Sequence, residues 1–199
     1  CRVQFWCLKV FSVISAGVGT LVIRVTLWIA TVLAVWYTGL VNVATDGKAP
    51  AWRRWVLVTT RESSIERRAQ ALQAPADLCD PQRIARGFGA FRDMCAICHT
   101  LPGDDPTPLT RGLNPAPPDL AKGEGHMSET EVFWVIKNGI RMTGMPAWHP
   151  SHSEGELWDI VAFIKVLPDM RVEEIDLLKQ RYPTPSGQGA EPAHAPSPH

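Results

Sequence analysis

Residues 92–103 read RDMCAICHTLPG, which gathers Cys95, Cys98 and His99 into five positions. Thiols and imidazoles are the side chains that ligate metals and act as nucleophiles. Their crowding into little more than one helical turn asks for a shared chemical task, and the rest of the chain decides which.

Four readings compete for the C-x-x-C-H run. A thiol–disulfide redox pair normally opens a helix beside a βαβ pattern, and no strand pattern is evident here. A structural zinc site needs four ligands. Cys79 is the only further cysteine after the apolar segment described below, and the histidines show no second paired spacing. Coincidence is the third reading. The fourth is covalent haem attachment: Cys95 and Cys98, one helical turn apart, reach two vinyl groups on one haem edge, and His99 falls under the iron.

The composition bounds what else the chain does. Over 199 residues, 20 Lys and Arg balance 20 Asp and Glu. A nucleic-acid binder would carry a basic excess to neutralise phosphates, so none is expected. Apolar residues concentrate before residue 45. Residues 25–44, VTLWIATVLAVWYTGLVNVA, carry no charge. As a helix, such a run spans about 30 Å, the hydrocarbon thickness of a bilayer. It is too long for the core of a signal peptide and lacks a small-residue cleavage site. A membrane anchor is the expectation, with Trp28, Trp36 and Tyr37 suited to the interfaces. Arg2, Lys9 and Arg24 precede it and Lys48, Arg53, Arg54 and Arg61 follow, so charge does not orient it. A lipid on Cys1 would be redundant beside a spanning helix. Cys7 and Cys79, on either side of the run, read as plain residues and not as a disulfide pair.

The chain therefore divides into an anchor region (1–45), a linker (46–80) with a helix at 60–73, a domain over 81–168, and a C-terminal part (169–199). In the linker helix Ile65, Ala69 and Leu72 share a stripe, leaving Arg61, Arg67 and Arg68 for solvent or lipid headgroups. Asp80-Pro81 opens the next helix as N-cap and first-turn proline, running to about Cys95. Residues 100–127 are rich in proline and glycine and read as a long loop, which usually wraps something. Capping boxes at Ser128/Glu131 and Ser153/Glu156 open two more helices. Asn138-Gly139 ends the first of these. Leu157, Ile160, Val161, Ile164 and Leu167 form the stripe of the second, which Pro168 stops. A short helix is expected within 170–182, followed by a disordered tail. A soluble part of a few short helices has little apolar surface to bury, and a bound cofactor is one way to complete its core.

An electron-carrying haem iron takes a sixth ligand, and methionine raises its potential. Met94 adjoins the first cysteine and is badly placed, leaving Met127, Met142, Met145 and Met170. The segment NGIRMTGMPAW sets Met142 and Met145 in a glycine-punctuated loop, with Pro146 stiffening it after Met145. His126, His149 and His152 read as solvated loop residues, with His149 the alternative ligand to watch. His194 and His199 read as surface decoration. Trp134, Trp148 and Arg141 are candidates for lining the haem.

Residues 81–168 resemble a class I cytochrome c domain. GFGAFRDMCAICH resembles that family's first helix, with Gly87 and Phe91 ahead of Cys95. PPDL resembles the loop whose proline carbonyl, here that of Pro118, orients the proximal histidine. TGMPAW resembles the axial loop and implies Met145 as ligand, with Met142 the alternate. LWDIVAFIKVL resembles the last helix, whose Phe163 packs across Gly87 and Phe91. The resemblance and the anchor together imply an all-α protein. It would be a small helical domain wrapped around one covalent haem c, tethered to the bacterial cytoplasmic membrane and facing the periplasm. His99 and Met145 would hold the iron, and Cys95, Cys98 and Pro118 would complete the site. Its partners would be redox proteins, with no small-molecule substrate and no enzymatic activity of its own. A haem sensor or peroxidase-like enzyme with a labile Met145 is the alternative, for which Arg141 and His149 are the only distal acid–base candidates.

Overall fold

The computed structural model describes residues 2–39, 42–47, 50–123 and 127–183, with the backbone alone for 2–17. Cys1, His126, His194, His199 and the tail expected to be disordered lie outside the described residues, as does the side chain of Cys7. Every regular element among the described residues is a helix. The chain divides into two units, Cys1–Gly47 and Lys48–His199.

The first unit is one helix, α1 (Arg2–Tyr37). Its segment apolar and long enough to cross a membrane is Val18–Tyr37, 20 residues with none of that window buried. This lies earlier than the expected 25–44. Arg24 bounds the uncharged run but does not interrupt a helix, and the helix ends at Tyr37, before Gly39 takes a left-handed φ of 66°.

The second unit begins with α2 (Ala51–Ala69), entered through Pro50. The linker helix thus starts and ends earlier than the expected 60–73, and it takes in AWRRW. The expected stripe holds: Ile65 and Ala69 are buried and Leu72 packs against the core. α2 lies against α5 (Glu129–Asn138).

Helix α3 (Pro81–Ala90) starts as its sequence dictates. Asp80 Oδ1 accepts from the N–H groups of Gln82 (2.7 Å) and Arg83 (3.3 Å), with Pro81 in the first turn. α3 then widens into a π-helical turn, Phe91–Cys95, in which the Ala96 N–H bonds to Phe91 O at 2.9 Å.

The core is the crossing of α3 with α6 (Glu154–Val166). Gly87 makes it possible. A Cβ there would lie 1.9 Å from the Asp159 carbonyl oxygen and 3.0 Å from Phe163 Cβ. With no side chain between the backbones, Phe88 and Phe91 meet Phe163 edge-on, with ring centroids 5.5 and 5.2 Å apart. Phe88, Phe91 and Phe163 are fully buried. The close contact also buries Asp159, whose carboxylate accepts from Arg83 Nη1 (2.7 Å) and Arg86 Nε (2.6 Å). Arg83 Nη2 reaches on to Asp77 at 2.9 Å.

Both capping boxes form, at Ser128/Glu131 for α5 and at Ser153/Glu156 for α6. Phe133 of α5 stacks on Trp158 of α6, with centroids 4.0 Å apart. Leu157, Ile160, Val161 and Leu167 are buried and Ile164 packs beside them. α6 passes into a 3-10 turn, Leu167–Asp169, which carries Pro168. The expected short helix is α7 (Val172–Arg181), with Ile175 buried. The stretch 100–127 is less irregular than expected, because it holds α4 (Pro108–Gly112) and a 3-10 turn, Leu120–Lys122.

Candidate haem site

The π turn at the end of α3 carries Cys95 into the core, where 8% of it is exposed. The N–H groups of Cys98 and His99 both bond to Cys95 O, at 3.0 and 2.8 Å. This tight turn holds the two cysteines and the histidine in one local frame. The carbonyls it leaves unused are taken by α4: Thr107 Oγ1 donates to Ile97 O at 2.7 Å, and Thr110 Oγ1 lies 3.0 Å from the same oxygen. Neither Cys95 nor Cys98 is in a disulfide. Burial, and the neighbouring Cys98 after it, pushes the Cys95 thiol up to about 12. That is the reverse of the lowered pKa on which thiol–disulfide chemistry depends. Among the described residues no group of three or more His, Cys, Asp or Glu side chains is arranged to hold a metal ion, so a structural zinc site has no ligand set.

His99 Nδ1 lies 3.1 Å from the carbonyl oxygen of Pro118. A carbonyl only accepts, so the proton sits on Nδ1 and the Nε2 lone pair is the one left to meet a metal. Burial lowers the pKa of His99, and the bond to Pro118 opposes that in part. The net lowering favours the neutral imidazole, the form in which it ligates.

The loop after α5 is built from its own backbone. Gly139 has φ 68° and ψ −176°, a conformation that belongs to glycine. A Cβ there would lie 2.7 Å from Ala147 N and 2.8 Å from Met145 O. The turn closes through Ile140 N–H to Met145 O (3.1 Å), and Thr143 Oγ1 donates to Ile140 O (2.7 Å) while accepting from Met145 N–H (3.1 Å). Gly144 lets Leu113 come close, since a Cβ would sit 2.5 Å from Leu113 Cδ2.

The two methionines of this loop part company. Met145 is half-buried and packs against the same core cluster as Cys95, Phe91 and Leu101. Met142 is 85% exposed and takes a left-handed φ of 60°. Trp148 packs against the core too, and its Nε1 is buried without a hydrogen-bond partner. Trp134 is half-buried and Arg141 exposed. His149 is exposed, with Nδ1 2.9 Å from Lys137 O, and His152 bonds to Ser151 Oγ at 2.9 Å.

These residues fit a haem. A histidine with its tautomer fixed, two unpaired thiols one turn apart, a soft sulfur on the same core and a buried indole donor without an acceptor suit a large, flat, mostly apolar group with polar edges.

Sequence reasoning missed the Arg83–Asp159–Arg86 cluster. Its signal was a lone carboxylate inside the apolar run LWDIVAFI, which buries only with a cationic partner. It also missed the α4 threonines, whose bonds to Ile97 carry no periodic mark.

Residues 82–164 match the family of cytochrome c oxidase, cbb3-type, subunit III. No curated protein matches the chain. The match, which covers under half of the chain, supports a class I cytochrome c domain and haem-based electron transfer.

Proposed function

We propose that the chain is a membrane-tethered monohaem cytochrome c that carries single electrons between redox proteins. Cys95 and Cys98 would hold the haem through two thioether bonds, His99 and Met145 would ligate its iron, and Pro118 would orient His99. The observation that carries this reading is the bond from His99 Nδ1 to Pro118 O, which leaves one ring nitrogen for a metal, beside a buried C-x-x-C pair.

When bound, haem supplies one-electron chemistry at iron. The chain does the rest. The Pro118 carbonyl holds the His99 ring and its tautomer. Thr143 and Gly139 hold the loop that presents Met145. Phe88, Phe91, Phe133 and Phe163 keep water from the interior. Holding the iron with both Met145 and His99 would suit one-electron transfer rather than the turnover of a substrate, so the chain would act as a carrier. Arg141 and His149, the distal groups a peroxidase-like reading would need, are both exposed, and His149 is bound to the backbone of α5. This favours the carrier.

The apolar segment Val18–Tyr37 supports tethering to the bacterial cytoplasmic membrane, with the haem domain on the periplasmic side. The oxidase subunit named in the matching family makes a terminal oxidase one acceptor to try first. The donor would be a quinol-oxidising complex or a dehydrogenase. The test is made on protein matured with haem-attachment machinery. Haem that survives a denaturing gel, a one-electron redox titration and no carbon monoxide adduct of the reduced protein are expected. Rapid carbon monoxide binding would contradict the carrier reading and favour the sensor or enzyme.

A further inference from the structure

Helix α2 has two halves with opposite character. Its C-terminal half belongs to the domain, through Ile65 and Ala69. Its first turns do not. From Ala51 to Leu57 every residue is exposed, including two tryptophans, Trp52 and Trp55, each 69% exposed. Val56 is 44% exposed.

At about 100° per residue, Trp52, Trp55, Val56 and Thr59 fall on one face of the helix. Arg53 falls beside that face, whereas Arg54, like Leu57, falls on the far side of the helix. The first turn holds no acidic residue, so the helix N-terminus adds its own partial positive charge to the arginines. A pair of exposed indoles is costly to leave in water. Indole rings favour the headgroup level of a bilayer, and an arginine beside an apolar face suits anionic headgroups. The stem of such an arginine also reaches along apolar surface while its charge stays in water.

Chain length makes that partner local. Thirteen residues, 38–50, separate α1 from α2. Fully extended they span at most about 45 Å. If α1 crosses a bilayer, α2 is tethered within reach of its surface, where the tether raises the effective lipid concentration.

We propose that the first turns of α2 are a lipid-binding surface, with Trp52, Trp55 and Val56 seated at the headgroup level of an anionic bilayer and Arg53 on its phosphates. This rests on the membrane-tethered reading. Its consequence for function is geometric: a second contact would limit how far the haem domain wanders from the membrane that holds its partners.

The test uses the full haem-loaded chain in vesicles of mixed neutral and anionic phospholipid, with Cys1, Cys7 and Cys79 replaced by serine. Nitroxide labels are placed singly by Val56→Cys, Leu57→Cys and Leu33→Cys. Their accessibility to oxygen, which concentrates in lipid, is compared with that to a water-soluble nickel chelate. The expected result is a lipid-like ratio at positions 33 and 56 and a water-like ratio at 57, on the far side of α2. Adding Trp52→Ala and Trp55→Ala should return position 56 to the water-like value. A water-like ratio at 56 with a lipid-like one at 33 overturns the proposal and leaves the anchor intact. Lipid-like values at both 56 and 57 overturn it as well, since the helix would then be immersed. A water-like ratio at 33 defeats the anchor itself, and the proposal falls with it.

Discussion

The two sides of the haem site are held by different means. His99 and the cysteines hang from a helix crossing: α3 meets α6 at Gly87, and the π turn follows directly. Met145 hangs from a loop that closes on itself through Ile140, Thr143 and Gly139. The first arrangement joins residues far apart in sequence, so it stands or falls with the domain. The second is local, so it can be lost while the domain stays folded. If Cys95 and Cys98 hold a haem covalently and Met145 ligates its iron, as proposed, the group would have one permanent attachment and one that can loosen.

The largest effect is expected at the crossing. Gly87→Val puts side-chain carbon into the Asp159 backbone, where a Cβ already has only 1.9 Å. The helices must part, so the cost should exceed the roughly 1–3 kcal/mol typical of overpacking. Denaturant unfolding of the haem-loaded protein reads it, and a wild-type midpoint would show that the crossing does not carry the site.

Asp159→Ala comes next. It leaves Arg83, only 14% exposed in its side chain, facing the gap, although Asp77 still holds its other arm. Breaking a buried ion pair typically costs about 3–5 kcal/mol, and the remaining partner puts this one at the low end. The loss should appear equally in unfolding followed at the haem and in unfolding followed by helix content. Different midpoints for the two probes would mean that the cluster serves only one side.

Gly139→Ala sharpens the contrast. Forcing a side chain into the glycine conformation costs about 1–3 kcal/mol, here beside a close approach to Ala147 and Met145. The haem should stay covalently bound and the helices folded, while the iron–sulfur bond weakens and exogenous ligands bind more readily. Global unfolding with no change at the iron would place the loop with the scaffold.

The smallest effect is at the α6 cap. Accepting from the Ser153 N–H and hydroxyl lowers the pKa of Glu156 below its ordinary 4.5. The cap therefore stabilises the fold above about pH 4.5 and loses that contribution as pH falls through the lowered folded value. Glu156→Gln should shrink the difference in melting temperature between pH 7 and pH 3. An unchanged difference would remove Glu156 from the acid response.

The same contrast explains what the sequence made legible. Local devices were readable: the Asp80-Pro81 start and the serine–glutamate boxes act within four residues. The C-x-x-C-H run pointed to haem attachment because that chemistry asks for this spacing. The contact of Phe163 with Gly87 and Phe91 came through resemblance, since nothing local relates those positions. The start of α2 was missed because Trp52 and Trp55 are apolar residues that face away from the core, so their spacing marked no buried stripe. α4 escaped because a one-turn helix has no period, and Thr107 and Thr110 hold it to Ile97.

The most direct test of the central claim is the optical spectrum of the ferric, haem-loaded protein, with and without Met145→Ala, and with Met142→Ala as control. The charge-transfer band from sulfur to iron, at the red edge, reports the methionine bond. The account predicts a band in the wild type that survives Met142→Ala and vanishes in Met145→Ala, with the haem covalently attached in all three. A wild type with covalent haem but no band, or a band that survives Met145→Ala, would contradict it.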